Sequence, residues 1–88
     1  MNINIKDLKK KIIYRATYRG SKEMDTLLSS FVKKYINKIN DKELICLSNL
    51  LKYNDETLFK YYQGKKTFDK IKTNTITELF KNFNYNRD

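Results

Sequence analysis

A five-residue segment near the start of the chain places opposite charges on either side of a glycine. Arg19, Gly20 and Glu23 stand in the run Arg-Gly-Ser-Lys-Glu, and an apolar run begins at Met24. An arginine donates forked hydrogen bonds to carboxylates or carbonyls, and a glutamate accepts hydrogen bonds. A glycine also lets a second backbone approach closely. A connector between helices needs the glycine but not the charges, so the charges suggest contact with a partner.

The same residues also have structural roles that need no partner. Glycine is favoured just past a helix end, where it readily adopts a positive φ, and we expect Gly20 to end the first helix in this way. Glu23 and Asp25 would lie in the first turn of the next helix, where a carboxylate interacts with the helix dipole by about 0.3–1 kcal/mol. Arg15 and Arg19 suit the dipole at a helix C-terminus. Composition alone favours the structural role for Glu23.

The composition narrows the chemistry that we expect of the chain itself. It contains no histidine, the commonest general base and metal ligand. Its single cysteine, Cys46, excludes an intramolecular disulfide and a cysteine-rich zinc site, and we expect this thiol to be buried among leucines. No set of acid, base and nucleophile is recognisable. We therefore expect no enzyme, no catalytic residue and no metal site.

The chain is basic, with a net charge of +9, and residues 1–22 carry five lysines, two arginines and one aspartate. A basic face of this kind fits nucleic acid or an acidic protein surface. No stretch approaches the roughly 18 apolar residues of a membrane span. The start of the chain has no apolar signal core, so we expect an unprocessed protein of the cytoplasm.

The spacing of apolar residues predicts five helices, and no segment has the alternation of a strand. The second helix has the widest apolar stripe and should form the centre of the core. Short connectors between these helices predict an all-α fold, a compact bundle of about five short antiparallel helices. The bundle is expected to be a single domain over residues 1–88, with a core from about 5 to 83 and frayed ends. The first helix is expected from Ile5 to Tyr18, capped by Asn4, and the second from Lys22 to about Lys38, capped by Ser21. The third begins after Asn40. A short fourth helix is opened by Asn54 and closed by Gly64, and the fifth runs from about Phe68 to Phe83.

The first connector resembles the defining segment of the succinate dehydrogenase flavinylation factors, a family also called FAD assembly factors. That family carries an Arg-Gly-x-x-Glu core, usually followed by an apolar residue and an aspartate. Arg19, Gly20, Glu23, Met24 and Asp25 match this pattern. The position of the segment between two predicted helices adds to its specificity.

A second segment, residues 54–64, is similar to the acidic turn, aromatic helix and closing glycine of the same family. It departs from the family at Glu56, where proline is frequent, and at Tyr61, where tryptophan is common. The resemblance covers roughly residues 8–64, and nothing functional is inferred beyond about residue 67.

The resemblance implies an assembly factor that binds the flavoprotein subunit of succinate dehydrogenase and promotes covalent attachment of FAD to a histidine of that subunit. Some bacterial members also serve fumarate reductase. The FAD belongs to the partner, and we expect no cofactor to be bound tightly by this chain. We expect a monomer that favours the reactive state of its partner. The implied partner-binding residues are Arg19, Gly20 and Glu23 at the centre, with Arg15, Tyr18, Lys22 and Asp25 around them.

The alternative function is that of a small basic helical nucleic-acid-binding domain. The net charge and the two helices joined by a short glycine-containing turn support it. Against it, the second helix carries a wide apolar stripe and opens with Glu23 and Asp25, which makes it a poor surface for a nucleic-acid groove. Binding to DNA and RNA across a salt series would separate the two hypotheses.

Overall fold

The computed structural model describes residues 4–67 and 70–84, and the chain folds there into five α-helices. No strand occurs in these two ranges, so the prediction of an all-α bundle is confirmed. Within the same ranges, no helix is both long and apolar enough to cross a membrane. The helices are α1 (Ile5–Thr17), α2 (Lys22–Tyr35), α3 (Asp41–Leu50), α4 (Asp55–Tyr62) and α5 (Thr75–Lys81).

Each helix begins at a side chain that accepts a hydrogen bond from the backbone of its own first turn. In α3 the bond is reciprocal: Asn40 Oδ1 accepts from the Glu43 N–H at 2.8 Å, and Glu43 Oε1 accepts from the Asn40 N–H at 3.0 Å. A cap of this type contributes about 1 kcal/mol to helix stability. The predicted starts of the first four helices are therefore confirmed. The capping residues are Asn4, Ser21, Asn40, Asn54 and Asn74.

Two helices are shorter than predicted. α2 ends at Tyr35, and residues 36–38 form a turn rather than the last helical turn expected up to Lys38. α5 begins only at Thr75, because Asn74 forms a reciprocal cap there with Thr77 at 2.8 and 2.9 Å. Residues 70–74 are not helical, and Phe68, the predicted start, lies outside the described residues.

The glycine predicted to close the fourth helix does so. Gly64 has φ 77°, and its N–H donates to the Tyr61 carbonyl, while the Lys65 N–H donates to the Lys60 carbonyl. These two bonds form the Schellman arrangement, in which a residue of left-handed conformation satisfies the last carbonyls of a helix. Glycine fits here because it has no Cβ to oppose a positive φ.

α2 forms the centre of the core, as its apolar stripe predicted. Its buried residue Phe31 is fully covered, and its ring centroid lies 5.3 Å from that of Phe80 in α5. Ile12 and Ala16, both fully covered, are the buried residues of α1, which packs against α2. Burial of one large apolar side chain contributes about 1.5–3 kcal/mol. Cys46, expected to be buried, is only partly covered and packs at the margin of this core.

Candidate functional site

The side chain of Arg19 turns inward from the connector between α1 and α2. Its Nε donates to Asp55 Oδ1 at 2.7 Å, its Nη1 to the Leu51 carbonyl at 2.9 Å and its Nη2 to the Tyr53 carbonyl at 2.8 Å. Only 10% of the side chain is exposed. All three guanidinium nitrogens thus bond within the chain, and they tie this connector to the one between α3 and α4.

The carboxylate of Asp55 receives two donors from the first connector. Oδ1 accepts from Arg19, and Oδ2 accepts from the Gly20 N–H at 2.7 Å. Asp55 is also the first residue of α4, where its negative charge interacts favourably with the helix dipole. One carboxylate therefore fixes both the side chain of residue 19 and the backbone of residue 20.

Gly20 leaves space for the Asp55 carboxylate and does not adopt a positive φ. The expectation that it ends α1 in the left-handed conformation is wrong, because Gly64 is the one described residue with a positive φ. α1 ends instead with the Tyr18 N–H donating to the Tyr14 carbonyl. A Cβ at position 20 would lie 2.9 Å from Asp55 Oδ2, closer than such contacts normally allow. The glycine thus permits the close approach of the carboxylate.

Asp25 holds the connector from its other side. Its Oδ1 accepts a hydrogen bond from the Arg19 N–H, and its side chain is partly buried. Ser21 caps α2 by accepting from the Met24 N–H at 3.2 Å. Asp25 therefore has a structural role within the connector.

Glu23 is exposed in the first turn of α2. Within residues 4–67 and 70–84, no group forms a hydrogen bond or an ion pair with its carboxylate. The carboxylate therefore stands on a fixed backbone with its acceptor positions open to solvent. Arg15 and Lys22 are also exposed, on the helix turns that flank the connector.

Two exposed tyrosines lie beside the connector. Tyr14 is 63% exposed and Tyr18 is 70% exposed, and their ring centroids are 4.6 Å apart. Aromatic side chains are enriched at the centres of protein interfaces. The pair adds an apolar surface at the end of α1, where the connector begins.

The structure thus divides the predicted site residues into two groups. Arg19, Gly20 and Asp25 are joined in one internal network, while the remaining four are exposed around it. We call Arg15 and residues 18–25, together with Asp55, the corner. Contact with a partner stays a prediction for all seven. The exposed four are Arg15, Tyr18, Lys22 and Glu23.

Sequence reasoning missed Asp55 as a member of the site. The sequence did contain a signal for Asp55, because this residue lies in the acidic turn that begins the second segment resembling the family. The carbonyls of Leu51 and Tyr53 carry no such signal, since every residue has a carbonyl.

The corner offers hydrogen-bond acceptors, cations and aromatic surface, and its chemistry is that of binding. In the described part of the chain, no group of three metal-ligating side chains occurs.

Sequence similarity to known proteins is a second source of evidence on what the chain does. The sequence model of the Sdh5 family, described as flavinator of succinate dehydrogenase, matches residues 10–84. The chain is 32% identical over 84 residues to the mitochondrial succinate dehydrogenase assembly factor 2 of Saccharomyces cerevisiae, a match that covers 89% of this chain and 51% of that protein. It thus spans about half the length of this yeast relative.

Bacterial proteins are similar over a shorter range. The FAD assembly factor SdhE of Wigglesworthia glossinidia brevipalpis is 35% identical over 51 residues, covering 58% of this chain and 61% of the relative. The protein of the same name from Legionella pneumophila is 33% identical over 52 residues, covering 59% and 66%. No solved structure matches the chain significantly.

Proposed function

The chain belongs to the family of succinate dehydrogenase flavinators, and on that basis we propose that it is an assembly factor for the flavoprotein subunit of succinate dehydrogenase. In this proposal it binds that subunit and promotes covalent attachment of FAD to it. The names of its relatives support the role, since they describe a succinate dehydrogenase assembly factor in yeast and FAD assembly factors in two bacteria.

The observation that carries the proposal is the open carboxylate of Glu23, on a backbone that the internal network of the corner holds in place. The charged neighbours Arg19, Asp25 and Asp55 bond to one another or to backbone groups. Because this network already fixes the backbone, little further ordering is needed when a partner binds, and preorganisation of this kind favours affinity. The exposed Glu23 is then the acceptor that the corner presents to donors on the flavoprotein.

Arg19 and Gly20 act in this proposal as positioning residues. They were expected at the centre of the contact, but the guanidinium of Arg19 is occupied inside the chain and Gly20 makes room for Asp55. The direct contacts are then Glu23, Tyr18, Lys22 and Arg15. Loss of Arg19 would act through the shape of the corner rather than through a lost bond to the partner.

The chemistry of attachment belongs to the flavin and the partner subunit. The factor contributes preferential affinity for the attachment-competent state, and each tenfold rise in the ratio of that state to its alternative requires about 1.4 kcal/mol of preference. We propose a non-catalytic monomer of the cytoplasm that does not itself hold FAD tightly. Fumarate reductase is proposed as a second client.

Co-expression with the flavoprotein subunit tests the proposal. The subunit is expressed alone, with the chain, or with the Glu23→Ala variant, and covalent flavin is scored by fluorescence in a denaturing gel. The expected result is strong labelling with the chain and labelling near the level of the subunit alone with Glu23→Ala. Glu56→Ala is the matched control, because it removes another exposed acid from a first helical turn and should label normally.

Two outcomes would overturn the proposal. Equal labelling with and without the chain would remove the assembly function, and full labelling with a folded Glu23→Ala variant would remove the role of that carboxylate. The relatives lend no support to the nucleic-acid alternative. The first turn of α2 also carries Glu23 and Asp25, which would repel phosphates.

A further inference from the structure

A groove of about 130 Å³ lies between α1 and α2. Its floor is formed by Ala16, Val32 and Ile36, each at most 5% exposed. Ile13 forms one side and is 49% exposed, which makes it one of the few large apolar side chains that face solvent within residues 4–67 and 70–84. The groove is thus apolar inside and open to a side chain from another molecule.

Lysines lie on both of the helices that form this groove. Lys33 lines the groove, and Lys9 Nζ donates to Asn37 Oδ1 at 3.1 Å, which bridges α1 to the segment after α2. Lys6 and Lys10 precede Ile13 by two turns and by one turn of α1, so helical spacing places them on its side of the helix.

No ion pair between described residues involves these lysines. Asp25 lies in the first turn of α2, where it accepts a hydrogen bond from the Arg19 N–H. Asp7 lies one turn before Lys10 but on a different face of α1 from Ile13. Glu23 lies in the first turn of α2, whereas Lys33 lies in its last. The rim is therefore positively charged around an apolar centre.

We propose that this groove binds an acidic amphipathic segment of the partner flavoprotein, an inference that rests on the function proposed above. One aromatic or branched apolar side chain of that segment enters beside Ile13, and flanking carboxylates pair with Lys10 and Lys33. The volume suits this occupant, because a cavity of about 150 Å³ accommodates a benzene ring. A second copy of this chain fits less well, because it also carries a net charge of +9.

The groove lies on the same two helices as the corner. Thr17, which lines the groove, is the last residue of α1, and Lys22 is the first residue of α2. A partner seated at Glu23 therefore has the groove within reach along the seam between the helices. Two contacts made by one partner reinforce each other, because the first raises the effective concentration for the second.

Binding measurements on full-length variants test the groove. The purified flavoprotein subunit is immobilised, and the Kd is measured for the chain, for Ile13→Asp and for Ile45→Asp. Ile45 is the matched control, because it is also an exposed isoleucine, 38% exposed, but lies on α3 outside the groove. We expect Ile13→Asp to weaken binding by about tenfold or more, as loss of an interface anchor does, and Ile45→Asp by less than about twofold.

The charge of the rim is tested separately. Lys33→Glu should weaken binding by about fivefold at low salt and by much less at about 0.5 M salt, where screening suppresses charge pairing. Thermal unfolding of each variant checks that the fold is kept; Ile13→Asp should be tolerated because its new carboxylate lies among lysines. A photo-crosslinking residue at position 13 should label an acid-rich peptide of the flavoprotein.

The outcomes distinguish this inference from the proposed function. If Ile13→Asp binds as tightly as Ile45→Asp, the groove inference fails even where Glu23→Ala still abolishes covalent flavin. Crosslinks to a second copy of the chain or to nucleic acid would also overturn it, as would sensitivity to Lys33→Glu without sensitivity to Ile13→Asp. No binding of the unaltered chain to the flavoprotein would overturn both proposals.

Discussion

At the scale of single residues, the Asp55 carboxylate stabilises the corner by more than an ordinary surface ion pair would. An exposed pair contributes about 0–1 kcal/mol. Here the Arg19 side chain is 10% exposed and that of Asp55 is 27% exposed, and the same carboxylate also accepts from the Gly20 N–H. Removing one partner of a hydrogen bond to a charged, partly buried group lowers the free energy of unfolding by about 1.5–3 kcal/mol.

Asp55→Asn should lower the free energy of unfolding by about 1.5–3 kcal/mol, because the amide supplies one acceptor where two donors converge. Urea unfolding followed by circular dichroism measures the change. Glu56→Gln is the control, since that side chain is 76% exposed and its one ion pair in the described part of the chain is with Lys60 at 3.4 Å. It should change stability by less than about 0.5 kcal/mol. Equal effects of the two variants would contradict the assignment of Asp55.

Gly20→Ala should lower the free energy of unfolding by about 1–3 kcal/mol, because the added Cβ displaces Asp55 from its contacts. The measurement is a double-mutant cycle with Asp55→Ala, also by urea unfolding. In the Asp55→Ala background the cost of Gly20→Ala should fall below about 0.5 kcal/mol. A cost that persists undiminished would mean that backbone conformation, and not the carboxylate, requires the glycine.

At the scale of helices and connectors, sequence reasoning succeeded where the deciding groups are close together in the chain. The caps at Ser21 and Asn40 and the stop at Gly64 each depend on bonds within one helical turn. The start of α5 was missed because the apolar spacing towards Phe83 outweighed the local signal of Asn74 and Thr77.

The candidate site was harder to predict, because its contacts join distant parts of the chain. The Arg-Gly-x-x-Glu segment gave the location of the corner, and the exposure of Glu23 agrees with the role proposed for it. The inward turn of Arg19 depends on Asp55 and on two carbonyls of the other connector. Periodicity and capping rules contain no information about contacts at that separation.

Gly64→Ala should destabilise the protein by about 1–2 kcal/mol, because a residue with a Cβ is strained at φ 77°. Gly64→Asn should cost less, since asparagine tolerates the left-handed conformation better. Thermal unfolding of the unaltered chain and of the two variants ranks their stabilities. A Cβ at position 64 has no atom within 4 Å, so crowding does not contribute, and equal costs for alanine and asparagine would contradict the explanation by conformation.

At the scale of the whole molecule, one small core supports all five helices. A chain of 88 residues has an expected free energy of unfolding of about 4–13 kcal/mol, from about 0.05–0.15 kcal/mol per residue. Phe31 lies at the centre of an aromatic cluster, 5.3 Å from Phe80, 5.4 Å from Phe83 and 5.1 Å from Tyr35 between ring centroids. This cluster anchors α2, the helix whose first turn belongs to the corner.

Phe31→Ala should lower the free energy of unfolding by about 3–5 kcal/mol, which is a large part of the total for a domain of this size. Tyr14→Ala is the matched truncation at an exposed aromatic residue and should cost less than about 1 kcal/mol. Circular dichroism during urea unfolding measures both. A cost for Phe31→Ala as small as that of Tyr14→Ala would contradict the assignment of Phe31 to the centre of the core.

The network around Arg19 has a consequence for any attempt to copy this surface. A peptide cut after Tyr35 would contain the whole Arg-Gly-x-x-Glu segment, yet it would lack the Leu51, Tyr53 and Asp55 groups that give the segment its shape. A graft onto a designed scaffold has to carry both connectors to reproduce the arrangement. For the same reason, an inherited change at position 55 would alter the shape of a surface that begins more than thirty residues earlier in the chain.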